Sequence, residues 1–153
     1  MKVAILESLG ISHEELMSLE APFVKEGVEF VEYQKTLDVE ELKKETAGAD
    51  AVIIANRPYP SSVISSCDTL KFIDVAFTGT DHVGLDAARE KGISVSNASG
   101  YSNEAVSELV LGMVLSFMRN ITQVEARCRE GKDKTGLVGC EVKGKTVGII
   151  GLG

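Results

Sequence analysis

Short apolar runs rich in β-branched residues recur along the first hundred residues at nearly constant spacing. Their first residues are 3, 28, 51, 72 and 93, so that successive starts lie 25, 23, 21 and 21 positions apart. Each run is bounded by charged or turn residues, which is typical of buried strands in a parallel sheet. The predicted strands are Val3–Leu6, Val28–Val31, Ala51–Ala55, Phe72–Ala76 and Ile93–Val95.

Helix-like segments fill the intervals between these runs. Most of them start at a residue whose side chain suits an N-cap, and one ends at a glycine suited to a C-terminal cap. Strands that alternate with helices predict an α/β protein with a doubly wound parallel sheet. The helices are predicted to begin after Ser12, which has Glu15 in the capping-box position, after Asp38, at Ser61 or Ser62, and at Asp86, where Gly92 follows the segment.

The rhythm breaks after about Asn97, and small residues at 98–102 mark a predicted domain boundary. A long helix is predicted from 103 to 129. Ten of the fourteen residues in 105–118 are apolar, so this half of the helix is expected to be covered on several sides, by another domain or subunit. A charged loop follows at 130–136, and Thr146–Ile150 is predicted to form a last strand.

The 153-residue chain has a net charge of −7, which narrows its list of possible partners. Nucleic acids and anionic membranes are bound by basic patches, so neither is an expected partner. The three cysteines are widely spaced and form no metal-binding pair, so no metal site is predicted. The N-terminal apolar run is too short for a signal peptide, and a cytoplasmic protein is expected.

A pair of glycines ends the sequence directly after the predicted last strand. Gly151 and Gly153 match the first two glycines of a G-x-G-x-x-G loop, which brings pyrophosphate close to the backbone and to a helix N-terminus. The third glycine, the helix and an acidic ribose-binding residue would follow Gly153. We therefore expect a fragment cut within a nucleotide-binding domain; a flexible glycine tail is the alternative.

Three blocks of residues 70–153 carry recognisable motifs. The blocks are Leu70–Ile73 with Phe77–Val83 and Ala87–Ile93, then Val95–Ala98 with Ala105–Leu109, and finally Val142–Gly153. In order and spacing, they resemble the D-isomer-specific 2-hydroxyacid dehydrogenase family, which includes glycerate and phosphoglycerate dehydrogenases and hydroxypyruvate reductases. Residues 1–69 fit that family only by pattern.

The resemblance implies a two-domain enzyme in which an NAD-binding Rossmann domain interrupts a flavodoxin-like substrate domain. Residues 1–100 would form most of the substrate domain, and 101–153 the crossing helix and first strand of a truncated NAD-binding domain. The parent would transfer a hydride between NAD or NADP and a small 2-hydroxy or 2-keto acid such as glycerate or hydroxypyruvate. The catalytic Arg, Glu and His of the family match positions after residue 153, so the chain alone is expected to be inactive. A homodimer is expected.

The resemblance also implies a substrate loop at Phe77, Thr78 and Gly79, where the family holds the substrate carboxylate through backbone N–H groups. Successive N–H groups in a glycine-containing turn form an anion nest, so this role is chemically reasonable. A plain turn between strand and helix is the alternative. Thr78 and Val106 match positions near the nicotinamide, and Gly151 and Gly153 would bind the rest of the cofactor.

Asn56 and Arg57 are further candidate substrate residues, because they directly follow a predicted strand. Parallel sheets bind ligands at the carboxyl ends of their strands, and a guanidinium suits a second carboxylate or a phosphate. A solvated loop before Pro58 is the alternative interpretation.

Several residues depart from the family pattern and leave the substrate open. Phe77 stands where the family often has glycine, Val75 where arginine is frequent, Gly84 where aspartate is frequent and Ser102 where asparagine is common. Two other functions stay possible at this point. One is a stand-alone flavodoxin-like binding module without hydride chemistry, and the other is a dimerisation module built on the apolar helix.

Overall fold

The computed structural model describes residues 1–151, which form two compact units, Met1–Tyr101 and the residues from Ser102 onward. The first unit contains five strands, β1 (Lys2–Ile5), β2 (Glu29–Glu32), β3 (Ala51–Ile54), β4 (Phe72–Val75) and β5 (Ser94–Asn97). Its helices are α1 (His13–Lys25), α2 (Val39–Thr46), α3 (Ser61–Ser66) and α4 (Leu85–Glu90). All strand pairs are parallel, in the order β2-β1-β3-β4-β5. The predicted flavodoxin-like α/β sheet is confirmed.

Side chains cap α1 and α2 at their N-termini as the sequence predicts, whereas α3 and α4 begin after Pro60 and Gly84 with no side-chain cap, and α4 begins at Leu85 instead of the predicted Asp86. The hydroxyl of Ser12 accepts a hydrogen bond from the N–H of Glu15 at 3.2 Å. The carboxylate of Asp38 accepts two from the first turn of α2, at 2.8 and 3.2 Å. Gly92 follows the end of α4 with a φ of 67°, in the left-handed region that favours glycine at this position.

The core of the first unit lies between one face of the sheet and the helices α2, α3 and α4. Burying one branched aliphatic side chain fully is worth about 1.5–3 kcal/mol, so this face holds the strands in register. Strand β3 pairs with β4 so that Ile54 lies opposite Val75. The buried side chains of this core include Ala4, Leu6, Leu42, Val52, Ile54, Val63, Ile64, Ile73, Val75, Ala87 and Ala88.

The second unit contains α5 (Asn103–Met118) and α6 (Ile121–Arg129), so the prediction of one helix from 103 to 129 is wrong. The two helices are bent by 64°. Asn120 has a φ of 53°, a left-handed conformation that asparagine tolerates better than most residues. The N–H of Cys140 donates to the carbonyl of Met118 at 2.7 Å. The segment around Cys140 therefore satisfies a backbone group at the end of α5, where the helix stops.

The predicted last strand, Thr146–Ile150, is also wrong for the described residues, because this segment pairs with no other strand. Its side chains are exposed, including those of Val147 and Ile149. A strand needs a neighbour for its backbone groups, and the second unit supplies none within residues 102–151. Within the described part of the chain, no single helix is long and apolar enough to cross a membrane, although the bent pair α5 and α6 together meets that criterion.

Candidate functional site

The loops that follow β3 and β4 leave the sheet side by side. Ile54 and Val75 are paired in register, and the N–H of Ala76 donates to the carbonyl of Ile54 at 2.7 Å. Neighbouring strands lie about 4.8 Å apart, so Asn56 and Phe77 emerge next to each other at the carboxyl edge. The sheet therefore brings together two of the segments that the sequence predicts to bind substrate.

The loop of Phe77, Thr78 and Gly79 presents free backbone donors. All three residues are exposed. Within residues 1–151, the N–H groups of Thr78 and Gly79 donate to no protein acceptor. The side chain of Asn97 donates to the carbonyl of Thr78 at 2.7 Å, and the N–H of Ala98 donates to the carbonyl of Phe77 at 3.1 Å. The loop is thus anchored on the β5 side while two successive N–H groups remain available to an anion.

Phe77 adds an aromatic surface to this loop. Its side chain is 43% exposed, and its ring centroid lies 6.2 Å from that of Tyr101 at an angle of 59°. Aromatic pairs at such a distance stabilise each other. An apolar wall therefore stands at the position where the resemblance leads one to expect glycine.

Asn56 is exposed at the end of β3 and contributes a side-chain amide to the edge. Its Oδ1 accepts a hydrogen bond from the ammonium of Lys35 at 2.6 Å. Among residues 1–151, its Nδ2 has no acceptor, so this group is available to a ligand. Lys35 thereby fixes the orientation of the Asn56 side chain and leaves its Nδ2 free to donate to a ligand.

Glu7 organises the same edge, and the sequence reasoning missed it. Its Oε1 accepts hydrogen bonds from the N–H groups of Ala55, Asn56 and Arg57 at 2.8, 2.9 and 2.8 Å. Burial alone would raise the pKa of Glu7, but the N–H groups of Arg57 and Ala55 and the ammonium of Lys35 outweigh it and hold that pKa below its ordinary value. A carboxylate directly after the apolar run of β1 was the available signal, because it places a charge at the carboxyl edge.

The structure places the guanidinium of Arg57 in the interior of the first unit, although the sequence suggests a substrate contact. The side chain is fully buried, and it donates to the carbonyls of Leu6 and, at 2.7 Å, of Thr36. It also lies 3.5 Å from the carboxylate of Glu45. Because these partners occupy the guanidinium within the fold, Arg57 is left out of the proposed substrate site.

The predicted cofactor residues lie in the second unit, apart from Thr78. Val106 is in the first turns of α5 and is 54% exposed. Gly151 has a φ of 97°, in the left-handed region that favours glycine. Gly153 lies outside the described residues. Within residues 1–151, no three His, Cys, Asp or Glu side chains lie close enough to hold a metal ion.

Comparison with known proteins identifies the family to which this chain is similar. The family model described as D-isomer specific 2-hydroxyacid dehydrogenase, catalytic domain, matches residues 3–146. The chain belongs to this family. Among its dehydrogenase relatives, the D-3-phosphoglycerate dehydrogenase of Methanocaldococcus jannaschii is 38% identical over 132 residues, which are 85% of this chain and 25% of that protein. The hydroxypyruvate reductase of Thermotoga maritima is 35% identical over 119 residues, which are 76% of this chain and 39% of that protein.

Solved structures of the dehydrogenase family show the same fold. The NAD-dependent formate dehydrogenase of Staphylococcus aureus, in complex with NAD, matches with a TM-score of 0.75 and 25% identity. The match covers 93% of this chain and 46% of that one. The chain thus spans a quarter of the phosphoglycerate dehydrogenase and less than half of the formate dehydrogenase.

Proposed function

We propose that this chain supplies the substrate-binding part of an NAD-dependent 2-hydroxyacid dehydrogenase. The enzyme would reversibly transfer a hydride between the nicotinamide and a small 2-hydroxy or 2-keto acid, such as glycerate or hydroxypyruvate. The observation that carries this proposal is the pair of free N–H groups at Thr78 and Gly79. They lie at the carboxyl edge beside Asn56, in a chain that belongs to the family.

In this proposal, the N–H groups of Thr78 and Gly79 bind the substrate carboxylate. Hydrogen bonds to a charged acceptor are stronger than neutral ones, so two backbone donors suffice to orient a small acid without a buried cation. The Nδ2 of Asn56 supplies a further donor, and Phe77 provides an apolar wall that excludes water from one side.

The cofactor would meet the second unit at Val106 and Gly151. The left-handed backbone of Gly151 fits the first glycine of a dinucleotide-binding turn, and the exposed Val106 fits an apolar contact with a flat ring. When bound, NAD would supply or accept the hydride. The choice between NAD and NADP rests on residues that would follow Gly153.

Hydride transfer to a keto acid also needs a general acid and a group that polarises the carbonyl. The resemblance assigns these roles to an Arg, a Glu and a His that match positions after residue 153. We therefore expect the 153-residue chain to show no turnover with NADH and hydroxypyruvate or glyoxylate. A steady-state assay that follows NADH absorbance measures this, with a no-protein sample as control, and turnover clearly above that control contradicts it.

The same assay on a longer gene product tests the function itself. A polypeptide that continues through a complete nucleotide-binding domain is expected to oxidise NADH with hydroxypyruvate or glyoxylate. A folded long product that reduces neither acid, nor any related 2-keto acid, with NADH or NADPH contradicts the proposed function. The NADPH arm identifies the cofactor.

The exposed apolar side chains of α5 lead us to expect that the chain forms a homodimer. Its apolar side chains are exposed on several sides, and Leu111 and Leu115 are 64% and 49% exposed. Contiguous apolar surface of this extent is unusual for a monomer, and burying each such side chain is worth about 1.5–3 kcal/mol. We expect the 153-residue chain to sediment as a dimer or larger assembly, with α5 packed against a second copy.

The variant Leu111→Glu/Leu115→Glu is expected to sediment as a monomer, because two charges would have to be buried in the interface. The matched control is Ile121→Glu, which adds a charge at an exposed apolar residue of α6 and leaves α5 intact. A compact wild-type monomer at high micromolar concentration contradicts the prediction.

A further inference from the structure

The anion nest of the substrate loop consists of the free N–H groups of Thr78 and Gly79. The first N–H shares a peptide unit with the carbonyl of Phe77, and the second shares one with the carbonyl of Thr78. A trans peptide is planar, and its N–H and C=O bonds point in opposite directions. A donor that holds one of these carbonyls therefore fixes the direction of the N–H in the same peptide unit.

The two carbonyls are held by different kinds of donor. The backbone nitrogen of Ala98 lies 3.1 Å from the carbonyl oxygen of Phe77 and 3.1 Å from that of Val75 in β4. The carbonyl of Thr78 accepts the side-chain Nδ2 of Asn97 at 2.7 Å, and no other donor reaches it within residues 1–151. The main chain thus fixes the direction of the Thr78 N–H, whereas a single side chain fixes that of the Gly79 N–H.

The peptide between Thr78 and Gly79 has little else to hold its orientation. Turning it over would exchange the positions of its N–H and C=O bonds, chiefly through the ψ of Thr78 and the φ of Gly79. Glycine adopts positive and negative φ about equally readily, so residue 79 permits both orientations. In the turned peptide, the carbonyl oxygen of Thr78 would face an anion in the nest and repel it. A hold from outside the loop therefore keeps the second donor in place.

The sheet brings Asn97 to this peptide. Asn97 is the last residue of β5, and its Cα lies opposite that of Val75 in the parallel register with β4. Its backbone is fixed by this pairing and by the hydrogen bonds of the next residue, Ala98. The side-chain amide thus reaches the Thr78 carbonyl from a strand end whose position the sheet determines.

We propose that Asn97 is a positioning residue of the substrate site, which holds the peptide between Thr78 and Gly79 so that the Gly79 N–H points at the substrate carboxylate. Its hydrogen bond also polarises this peptide, which makes the Gly79 N–H a stronger donor. This inference rests on the proposed function, and it names a residue outside the loop on which the same site depends. Asn97 touches no reacting atom, so its loss should weaken substrate binding and leave the chemical step unchanged.

The first experiment measures the direction of the Gly79 N–H in the isotopically labelled 153-residue chain without any ligand. Residual dipolar couplings report the angle of each N–H bond in a weakly aligned sample. In Asn97→Ala, we expect the coupling of Gly79 to depart from its wild-type value, whereas the coupling of Thr78 stays the same. Equal Gly79 couplings in the variant and the wild type overturn the proposal.

Ser96→Ala is the matched control, because it removes a side-chain hydrogen bond from the neighbouring residue of β5. The hydroxyl of Ser96 donates to the carboxylate of Asp74, on the opposite face of the sheet from Asn97. The Gly79 coupling of this control should equal that of the wild type. A change as large as that in Asn97→Ala would trace the effect to a general loosening of β5 and overturn the role of Asn97.

Asn97→Asp keeps the measurement decisive if Asn97→Ala does not fold. Aspartate has nearly the shape of asparagine, but its ionised carboxylate accepts hydrogen bonds and donates none. We expect the Thr78 carbonyl to turn away from the new carboxylate and the Gly79 N–H to turn towards it. The Gly79 coupling should therefore change in this variant as well, and an unchanged coupling contradicts the proposal.

The second experiment follows substrate binding in the longer product that carries the nucleotide-binding domain. Weakening one hydrogen bond to a charged group is expected to raise the KM for hydroxypyruvate about tenfold in Asn97→Ala. The kcat should stay close to the wild-type value, because the carboxylate is bound equally in the ground state and the transition state. An unchanged KM, or a fall in kcat alone, overturns the proposal.

Glyoxylate separates the failure of this proposal from the failure of the proposed function. In the wild-type 153-residue chain it should shift the amide signals of both Thr78 and Gly79, and in Asn97→Ala that of Thr78 alone. If it shifts both signals equally in the two proteins, the role of Asn97 is overturned and the proposed function stands. If it shifts neither signal in the wild type, the carboxylate site is contradicted, while a Gly79 coupling that changes in Asn97→Ala still supports the hold on the peptide.

Discussion

Replacing Gly79 with valine is expected to reduce kcat/KM by about a hundredfold or more while leaving the melting temperature unchanged. The reduction follows because the branched side chain would crowd the two N–H groups that hold the substrate carboxylate, and a displacement of about 1 Å costs about that factor. The fold should tolerate the change, because a Cβ at Gly79 would meet no atom within 4 Å.

This prediction is measured in a longer product that carries the nucleotide-binding domain, with hydroxypyruvate and NADH as substrates. Gly84→Ala is the contrasting control. A Cβ at Gly84 would lie 2.5 Å from the backbone nitrogen of Ser61, so this variant should lose thermal stability. Unchanged kcat/KM in Gly79→Val would remove Gly79 from the substrate site.

Replacing Arg57 with methionine is expected to destabilise the first unit by about 3–5 kcal/mol, which is the range for breaking a buried ion pair. The carboxylate of Glu45 would lose the guanidinium that lies 3.5 Å away. The carbonyls of Leu6 and Thr36 would lose a charged donor as well. Methionine fills most of the volume of the arginine stem. The decrease in the free energy of unfolding therefore reports the lost polar interactions of the guanidinium more than lost packing.

The destabilisation should depend on pH in a direction set by Glu45. Burial raises the pKa of Glu45, and the guanidinium of Arg57 only partly opposes this, so the variant should raise that pKa further. A carboxyl group whose pKa is higher in the folded than in the unfolded chain lowers the stability of the fold once the pH rises above its pKa in the unfolded chain. The difference in the free energy of unfolding between Arg57→Met and the wild type should therefore be larger at pH 7 than at pH 5.

Urea unfolding at the two pH values measures this difference. Arg89→Met is the matched control, because Arg89 forms an exposed pair with Asp86 at 3.2 Å. Exposed pairs contribute about 0–1 kcal/mol, so the control should change little at either pH. Equal stability of Arg57→Met and Arg89→Met would show that the buried network contributes nothing.

The strand rhythm of the first unit was predictable because each strand is buried and apolar. The five runs became β1 to β5 with shifts of at most two residues at their ends, and the caps at Ser12 and Asp38 formed as predicted. Local hydrogen bonds and burial both act within a few residues of the chain, so sequence patterns record them.

The second unit was harder to predict, because its structure depends on contacts far apart in sequence. Nothing in the local pattern around Met118 predicts an end of the helix, yet the helix breaks at Asn120, where the N–H of Cys140 donates to the carbonyl of Met118. The apolar run at Thr146–Ile150 predicts a strand, but within the described residues it has no partner strand to pair with.

The sequence by itself determined the α/β fold of the first unit, the family and the position of the loop at Phe77, Thr78 and Gly79. Strand periodicity and short motifs carry this information, because each depends on neighbouring residues. Only the tertiary structure determined where the charged side chains lie at the carboxyl edge of the sheet. It turned Arg57 inward to Glu45 and brought Glu7 onto residues 55–57, about 50 positions away. Side-chain direction at the end of a strand follows from such long-range pairing of buried charges, which no local pattern encodes.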